Sequence, residues 1–245
     1  RVDLRDIKFV LFDQIGVDKL IAHEKYSSFD RAMFEQMLEE GLKVAKDVFF
    51  PLSEKADLIG AKFENGQVTT PEGTKEAWNL LVENQWISMR MSPEFGGMGV
   101  PEMVFTAVQD IFVGANPAFN LTPMLGVGAG HLIESFGTEE LKKIYVEKMY
   151  SGIWGGTMCL TEPGAGSDVG ASKTKAYRTD QGYYKIEGSK CFITAGEHDL
   201  TENIIHAVLA RIEGDPAGTK GISLFCVPKY RVNPDGSCGE FNDVK

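Results

Sequence analysis

Met158–Asp168 reads MCLTEPGAGSD, and the chain is best understood outward from it. The run before it, Ile153–Leu160 (IWGGTMCL), is mostly apolar and strand-like. Pro163, Gly164 and Gly166 then follow in quick succession and end regular structure. The pattern predicts a strand entering a tight turn that carries two hydroxyls, Thr161 and Ser167. Glycines in such a turn let backbone N–H groups come close to a ligand, which suits a flat heterocycle with carbonyl edges or a phosphate. The plain alternative is a surface turn that binds nothing. Two familiar glycine motifs do not fit. A dinucleotide fingerprint needs G-x-G-x-x-G, and here Gly170 comes one residue late. A P-loop needs Gly-Lys-Ser/Thr, which is missing from the stretch.

Lys190–Gly196 reads KCFITAG and follows the β-like GYYKIEGSK. TEPGAGSD followed by K-x-F-I-T-x-G, at this spacing and in this order, resembles the acyl-CoA dehydrogenase family of flavoenzymes. The resemblance covers nearly the whole chain, since the upstream helical part also matches.

The 245 residues are 43% hydrophobic, enough for one large or two modest cores. The net charge of −10 argues against nucleic acid as a partner. Cys159, Cys191, Cys226 and Cys238 form no C-x-x-C pair and read as reduced thiols, three of them in apolar strand-like segments. His23, His198 and His206 lack metal-ligand spacing, so no metal site is assigned. No apolar run approaches the ~20 residues of a membrane span, and no secretory leader is seen, so a cytoplasmic protein is expected. The chain starts at Arg1 and ends in the polar NPDGSCGEFNDVK; both ends look cut, so a piece of a longer protein is expected.

Leu4, Ile7, Val10, Leu11 and Ile15 predict a short helix broken at Gly16. Phe29–Leu58 is the clearest long helix, with Met33, Met37, Leu38, Leu42, Ala45 and Phe49 at three- and four-residue spacing. Pro51 should kink or divide it. Core packing is the preferred reading of this Met and Phe stripe, ahead of a ligand wall. Residues 64–73 read as a turn-rich connector, and a helix is expected from Pro71 to about Asn84. Pro93–Gly99 is a loop resembling the family's glycine-rich segment between two helices. Further helices are expected at 102–114, from Pro123 to Phe136, and at 139–150 with Thr138 as N-cap. His131 is taken as a packing residue rather than a base. From Ile153 on, short segments rich in Tyr, Ile, Val, Phe and Thr alternate with turns, Asp180-Gln181-Gly182 being a hairpin turn. The expected fold is α+β: an all-α part, residues 1–154, then an antiparallel β-barrel-like part, residues 155–245, itself incomplete.

The resemblance implies more. It makes these the first two domains of an acyl-CoA dehydrogenase, with the family's C-terminal helical domain absent from the chain. It implies FAD as cofactor, an acyl-CoA substrate in fatty acid β-oxidation, and α,β-dehydrogenation to a trans-2-enoyl-CoA with hydride passing to flavin N5. It further implies electron-transferring flavoprotein or a similar acceptor, and a homo-oligomer. Met158, Leu160 and Thr161 match positions at the flavin's pyrimidine edge. Ser167 matches the serine that touches both cofactor phosphate and acyl-CoA, and Gly166 lies in the same turn. Phe192 stands where many relatives carry tryptophan over the flavin face. Ile193 adjoins it, and Thr194 matches the threonine whose hydroxyl nears N5. The plain alternative for Thr161 and Thr194 is threonine on an ordinary β strand. The family's base is commonly a glutamate of the third domain, so no base is assigned here; Glu162 and Asp168 are expected to fix the turn. The polar stretch Glu197–Asn203 and the start LRDIKFVLF resemble a bacterial branch that includes 3-(methylthio)propanoyl-CoA and long-chain acyl-CoA dehydrogenases. An acyl-CoA oxidase and a non-catalytic family-like subunit of a complex are the alternatives.

Overall fold

The computed structural model describes residues 3–244. Helix α1 (Leu4–Lys8) continues as a π-helical stretch, Phe9–Ile15, and stops at Gly16, whose φ of 71° is left-handed. Helix α2 (Arg31–Val44) starts under Asp30, whose carboxylate accepts the Met33 N–H at 2.7 Å. A second π-helical stretch, Ala45–Phe49, carries α2 into α3 (Phe50–Ile59). Pro51 has no N–H to donate and its ring crowds the carbonyl four residues back. The wider π turn sits directly ahead of it, so Pro51 changes the hydrogen-bond pattern while the backbone stays helical at Phe49 and Phe50.

The expected connector at 64–73 overlaps a small hairpin that starts ahead of it, β1 (Lys62–Glu64) with β2 (Gln67–Thr69). It turns at Asn65-Gly66, both with positive φ. Helix α4 (Thr74–Glu83) begins three residues later than expected, because Gly73 at φ 93° is the residue before its first turn and Pro71 lies outside. Helix α5 (Glu102–Ala115) leads into α6 (Pro117–Phe136). The latter starts six residues before the expected Pro123: Pro117 stands in its first turn, and the Asn116 carboxamide accepts the Phe119 N–H at 3.0 Å. Helix α7 (Glu139–Tyr150) has the expected cap, Thr138 Oγ1 accepting the Leu141 N–H at 3.4 Å. His131 is not a packing residue: it is exposed on α6, with Nδ1 3.2 Å from the Glu134 carboxylate.

The Met and Phe stripe divides. Leu38, Ala45 and Phe49 are core, joined by Phe34 from outside the stripe, and the Phe49 ring meets Phe112 of α5 edge-on at 4.9 Å. Met33 and Met37 line an open groove of about 490 Å³, though Met37 and Leu42 also pack against the core.

The second half of the chain is a five-stranded sheet. Its strands are β3 (Trp154–Cys159), β4 (Lys175–Arg178), β5 (Tyr184–Glu187), β6 (Asn203–Ile212) and β7 (Ile222–Pro228). The order is β3-β6-β4-β5, with β7 also on β6. The α+β class holds, but the sheet is mixed rather than antiparallel. β4–β5 and β6–β7 are antiparallel, whereas β6 runs parallel to both β3 and β4. The Asp180–Gly182 turn joins β4 to β5 as expected, with Gly182 at φ 81°. Local turns set the hairpins; β6 returns beside β3 only after a long excursion, and so runs in the same direction. A separate hairpin, β8 (Tyr230–Val232) with β9 (Cys238–Phe241), follows.

Helices α6 and α7 cover one face of β3, and small residues set their distance. A Cβ on Gly156 would lie 2.6 Å from Met149 Cε and 2.9 Å from Ala129 Cβ. Gly156→Ala is therefore expected to destabilise the protein by about 1–3 kcal/mol through overpacking. Urea unfolding checks this, and an unchanged midpoint would mean that α6 can back away from the strand.

Candidate functional site

The turn after β3 is closed by Glu162 and Ala165, which exchange N–H···O bonds of 3.0 and 3.1 Å around Pro163-Gly164. The Glu162 side chain is turned inward and buried. Its carboxylate accepts the Lys173 N–H at 2.7 Å, the Thr174 N–H at 3.0 Å and the Thr174 hydroxyl at 2.5 Å, and pairs with Lys190 Nζ at 2.9 Å. Burial works to raise its pKa, but these donors outweigh it and hold the carboxyl at about 2. Glu162 is thus a permanent anion that fastens the turn, in the role expected of it. Asp168 is exposed and contributes its carbonyl, which accepts the Ala171 N–H at 3.2 Å.

Lys190 joins the two motifs. Besides pairing with Glu162, it donates to the Leu160 carbonyl at 3.1 Å, and the next residue, Cys191, donates its N–H to the Thr161 carbonyl at 2.9 Å. Leu160 and Thr161 are thereby laid against the start of the second motif. Beyond Cys191 the chain is not a strand. Phe192 and Ala195 adopt left-handed φ of 58° and 55°, and the Gly196 N–H bonds back to the Ile193 carbonyl at 3.3 Å. Neither Thr161 nor Thr194 lies on a strand. Thr194 is exposed and Ile193 half-buried. The Phe192 ring is 93% exposed. A bulky residue in the left-handed region carries backbone strain, and an aromatic ring held out into solvent gains nothing for the fold in return.

Met158 is half-buried on β3 opposite Ala207 of β6. Gly166 and Ser167 are exposed on the far arm of the turn; at Gly164 and Gly166 a Cβ would meet only open space. The backbone there is reachable, as a close-fitting ligand requires. The motifs themselves point to this surface, but nothing in them marks Lys190 or Thr174 as partners of Glu162. An acid and a base 28 residues apart give no local signal.

Beneath the site, Thr157 Oγ1 lies 2.8 Å from His206 Nδ1 and 3.3 Å from Cys159 Sγ. All three are buried. Burial brings His206 down to about 4 and raises the Cys159 thiol. At neutral pH this is an uncharged interior cluster.

Comparison with known proteins agrees with the motif pair. The model of the acyl-CoA dehydrogenase N-terminal domain matches residues 53–153, and that of the middle domain matches residues 157–238. The chain belongs to the acyl-CoA dehydrogenase family. It is 42% identical to a butyryl-CoA dehydrogenase of Syntrophomonas wolfei over 98% of this chain and 40% of the relative. It is 40% identical to the 3-methylmercaptopropionyl-CoA dehydrogenase of Ruegeria pomeroyi, over 98% of this chain and 41% of that protein. Among solved structures, the acyl-CoA dehydrogenase from Bacillus anthracis complexed with FAD superposes with a TM-score of 0.66 at 26% identity, covering 81% of this chain and 31% of that one. The chain thus spans about two fifths of the length of the curated relatives it matches. Among the described residues, no helix is long and apolar enough to cross a membrane.

Proposed function

We propose that residues 1–154 and 155–245 are the N-terminal and middle domains of an FAD-dependent acyl-CoA dehydrogenase that converts an acyl-CoA thioester to its trans-2-enoyl-CoA. The observation that carries this reading is the bond between Cys191 N–H and Thr161 O, with Lys190 locked onto Glu162 beside it. It brings both motifs onto one open surface, with Phe192, strained in its backbone and exposed in its side chain, at the edge. FAD, when bound, supplies the acceptor for the substrate's β-hydride. The residues of the chain fit such a group. Leu160 and Thr161 offer backbone and hydroxyl to a polar ring edge, with Met158 behind them on β3. Gly166 and Ser167 offer an unobstructed turn to phosphate, and Ser167 also to the acyl-CoA. Phe192 and Ile193 supply an apolar cover, and the Thr194 hydroxyl a donor toward N5.

Removal of the α-proton needs a base whose pKa lies near the working pH. Glu162, held at about 2 by its donors, is far too weak a base. We assign no base within residues 1–245 and expect it on the rest of the protein, with electron-transferring flavoprotein as acceptor and a homo-oligomeric assembly. The test is the natural full-length protein precipitated with acid. A yellow supernatant whose chromatography matches FAD is expected. Protein that is colourless as purified, and that leaves added FAD unquenched, would overturn the reading.

A further inference from the structure

The polar stretch Glu197–Asn203, directly after the second motif, is anchored residue by residue to different parts of the fold. Glu197 pairs with Lys229 at 2.6 Å. His198 is buried, with its ring 6.4 Å from that of Trp78 on α4. It presses so closely on β3 that a Cβ on Gly155 would stand 3.0 Å from His198 Nε2. Burial pushes this imidazole down to about 4, and its Nδ1 accepts the Leu200 N–H at 3.2 Å.

Asp199 reaches across to the helical part. Its Oδ1 accepts the N–H of Thr70 at 3.0 Å and the Thr70 hydroxyl at 2.7 Å, while Oδ2 pairs with Lys75 at 2.8 Å. Burial opposes its ionisation, but these donors prevail and lower its pKa. Behind the stretch, the Asn203 carboxamide donates to the Tyr230 carbonyl at 2.8 Å and accepts the Tyr230 N–H at 2.9 Å. The Cys238 thiol lies 3.8 Å from the Glu202 carbonyl. The β8–β9 hairpin therefore backs the stretch, and Lys148 of α7 in turn holds the hairpin at the Gly236 carbonyl.

The loop at 191–196 has irregular backbone and is tied upstream by the Cys191–Thr161 bond. A loop fixed at one end opens locally at little cost. We propose that Glu197–Asn203 is the second fixed end, a strut that sets the Phe192–Thr194 loop against the helical part, with Asp199 as its positioning residue on Thr70. An exposed Lys–Asp pair alone would hold little. Asp199 differs because a backbone amide and a hydroxyl converge on the same half-buried carboxylate, and such charge-assisted bonds are the stronger kind. The proposal rests on the flavin reading of that loop for its functional meaning, but not for its test.

Amide hydrogen exchange is followed by mass spectrometry on the natural full-length protein stripped of flavin. Asp199→Ala is expected to speed exchange across residues 190–196 by about tenfold. Asp199→Asn, which keeps a neutral acceptor for Thr70 but loses the charge and the Lys75 pair, should fall between the parent and the alanine variant. Thr70→Val, which loses only the hydroxyl, should raise exchange there by about threefold and carries the test if the alanine variant does not fold. Exchange at 190–196 that rises no more than in the five-stranded sheet overturns the strut. FAD affinity is then measured on the same proteins and should fall with the alanine variant. A loosened loop with unaltered FAD affinity would leave the strut standing and sink the assignment of that loop to the flavin.

Discussion

Glu162→Gln is expected to destabilise the protein by about 3–5 kcal/mol, the usual result of removing one partner of a buried ion pair and leaving the other charged. Lys190 is only 9% exposed at its side chain, and the amide that replaces the carboxylate must serve four donors with one oxygen. The pH dependence has a definite sign. The carboxyl is held at about 2 in the folded protein, below its ordinary value near 4.3 in an unfolded chain. Its contribution is therefore complete above pH ~4.3 and is lost as the pH falls from there toward about 2. Denaturant titrations at pH 7 and pH 3 should show parent and variant far apart at the first and closer at the second. A gap at pH 7 of under ~1 kcal/mol would mean that the turn is held by its backbone bonds alone.

Phe192→Gly should separate stability from binding. The ring is 93% exposed and the residue sits at φ 58°, so glycine gives up almost no packing and relieves a strained backbone. Unfolding temperature should hold or rise slightly. Binding of FAD should weaken sharply: covering a phenyl side chain contributes about 1.5–3 kcal/mol, a loss of roughly tenfold to a hundredfold in affinity. Strain kept at a place where it does nothing for the fold is characteristic of functional sites. Fluorescence titration of the stripped protein with FAD gives the answer, and equal dissociation constants for parent and variant would take Phe192 out of the site.

Much of this surface was legible because it is built from two contiguous motifs, and chemistry confined to a short stretch can be read from that stretch. The helices were legible where they carried their own signals, such as the Thr138 cap of α7. The early start of α6 carries signals of the same kind, a capping Asn116 and a first-turn Pro117. Three features were hidden for a physical reason. Short, mostly apolar runs say that β3 and β6 are strands, yet not that they pair, nor in which direction. The Glu162–Lys190 bond joins residues 28 apart in the chain and leaves no local mark. The conformation of Phe192–Ala195 also depends on its surroundings: Phe192, a residue of strong β propensity, and Ala195 turn left-handed where the chain passes from Cys191, tied to Thr161, to Glu197, tied to Lys229.

The parallel pairing of β3 with β6 also orders events in time. Thr157 and His206, which face one another across those strands, stand 49 residues apart in the chain. A ribosome that has just released Thr161–Asp168 has not yet made the strand that supports it. Until β6 emerges, the edge of β3 that will receive it is bare, whereas the β4–β5 hairpin can already close on itself. Non-local pairing of this kind is slow to form and open to wrong partners. The nascent protein thus carries β3 before its partner strand exists, and the helices that cover β3 in the folded protein, α6 and α7, are the ones already made.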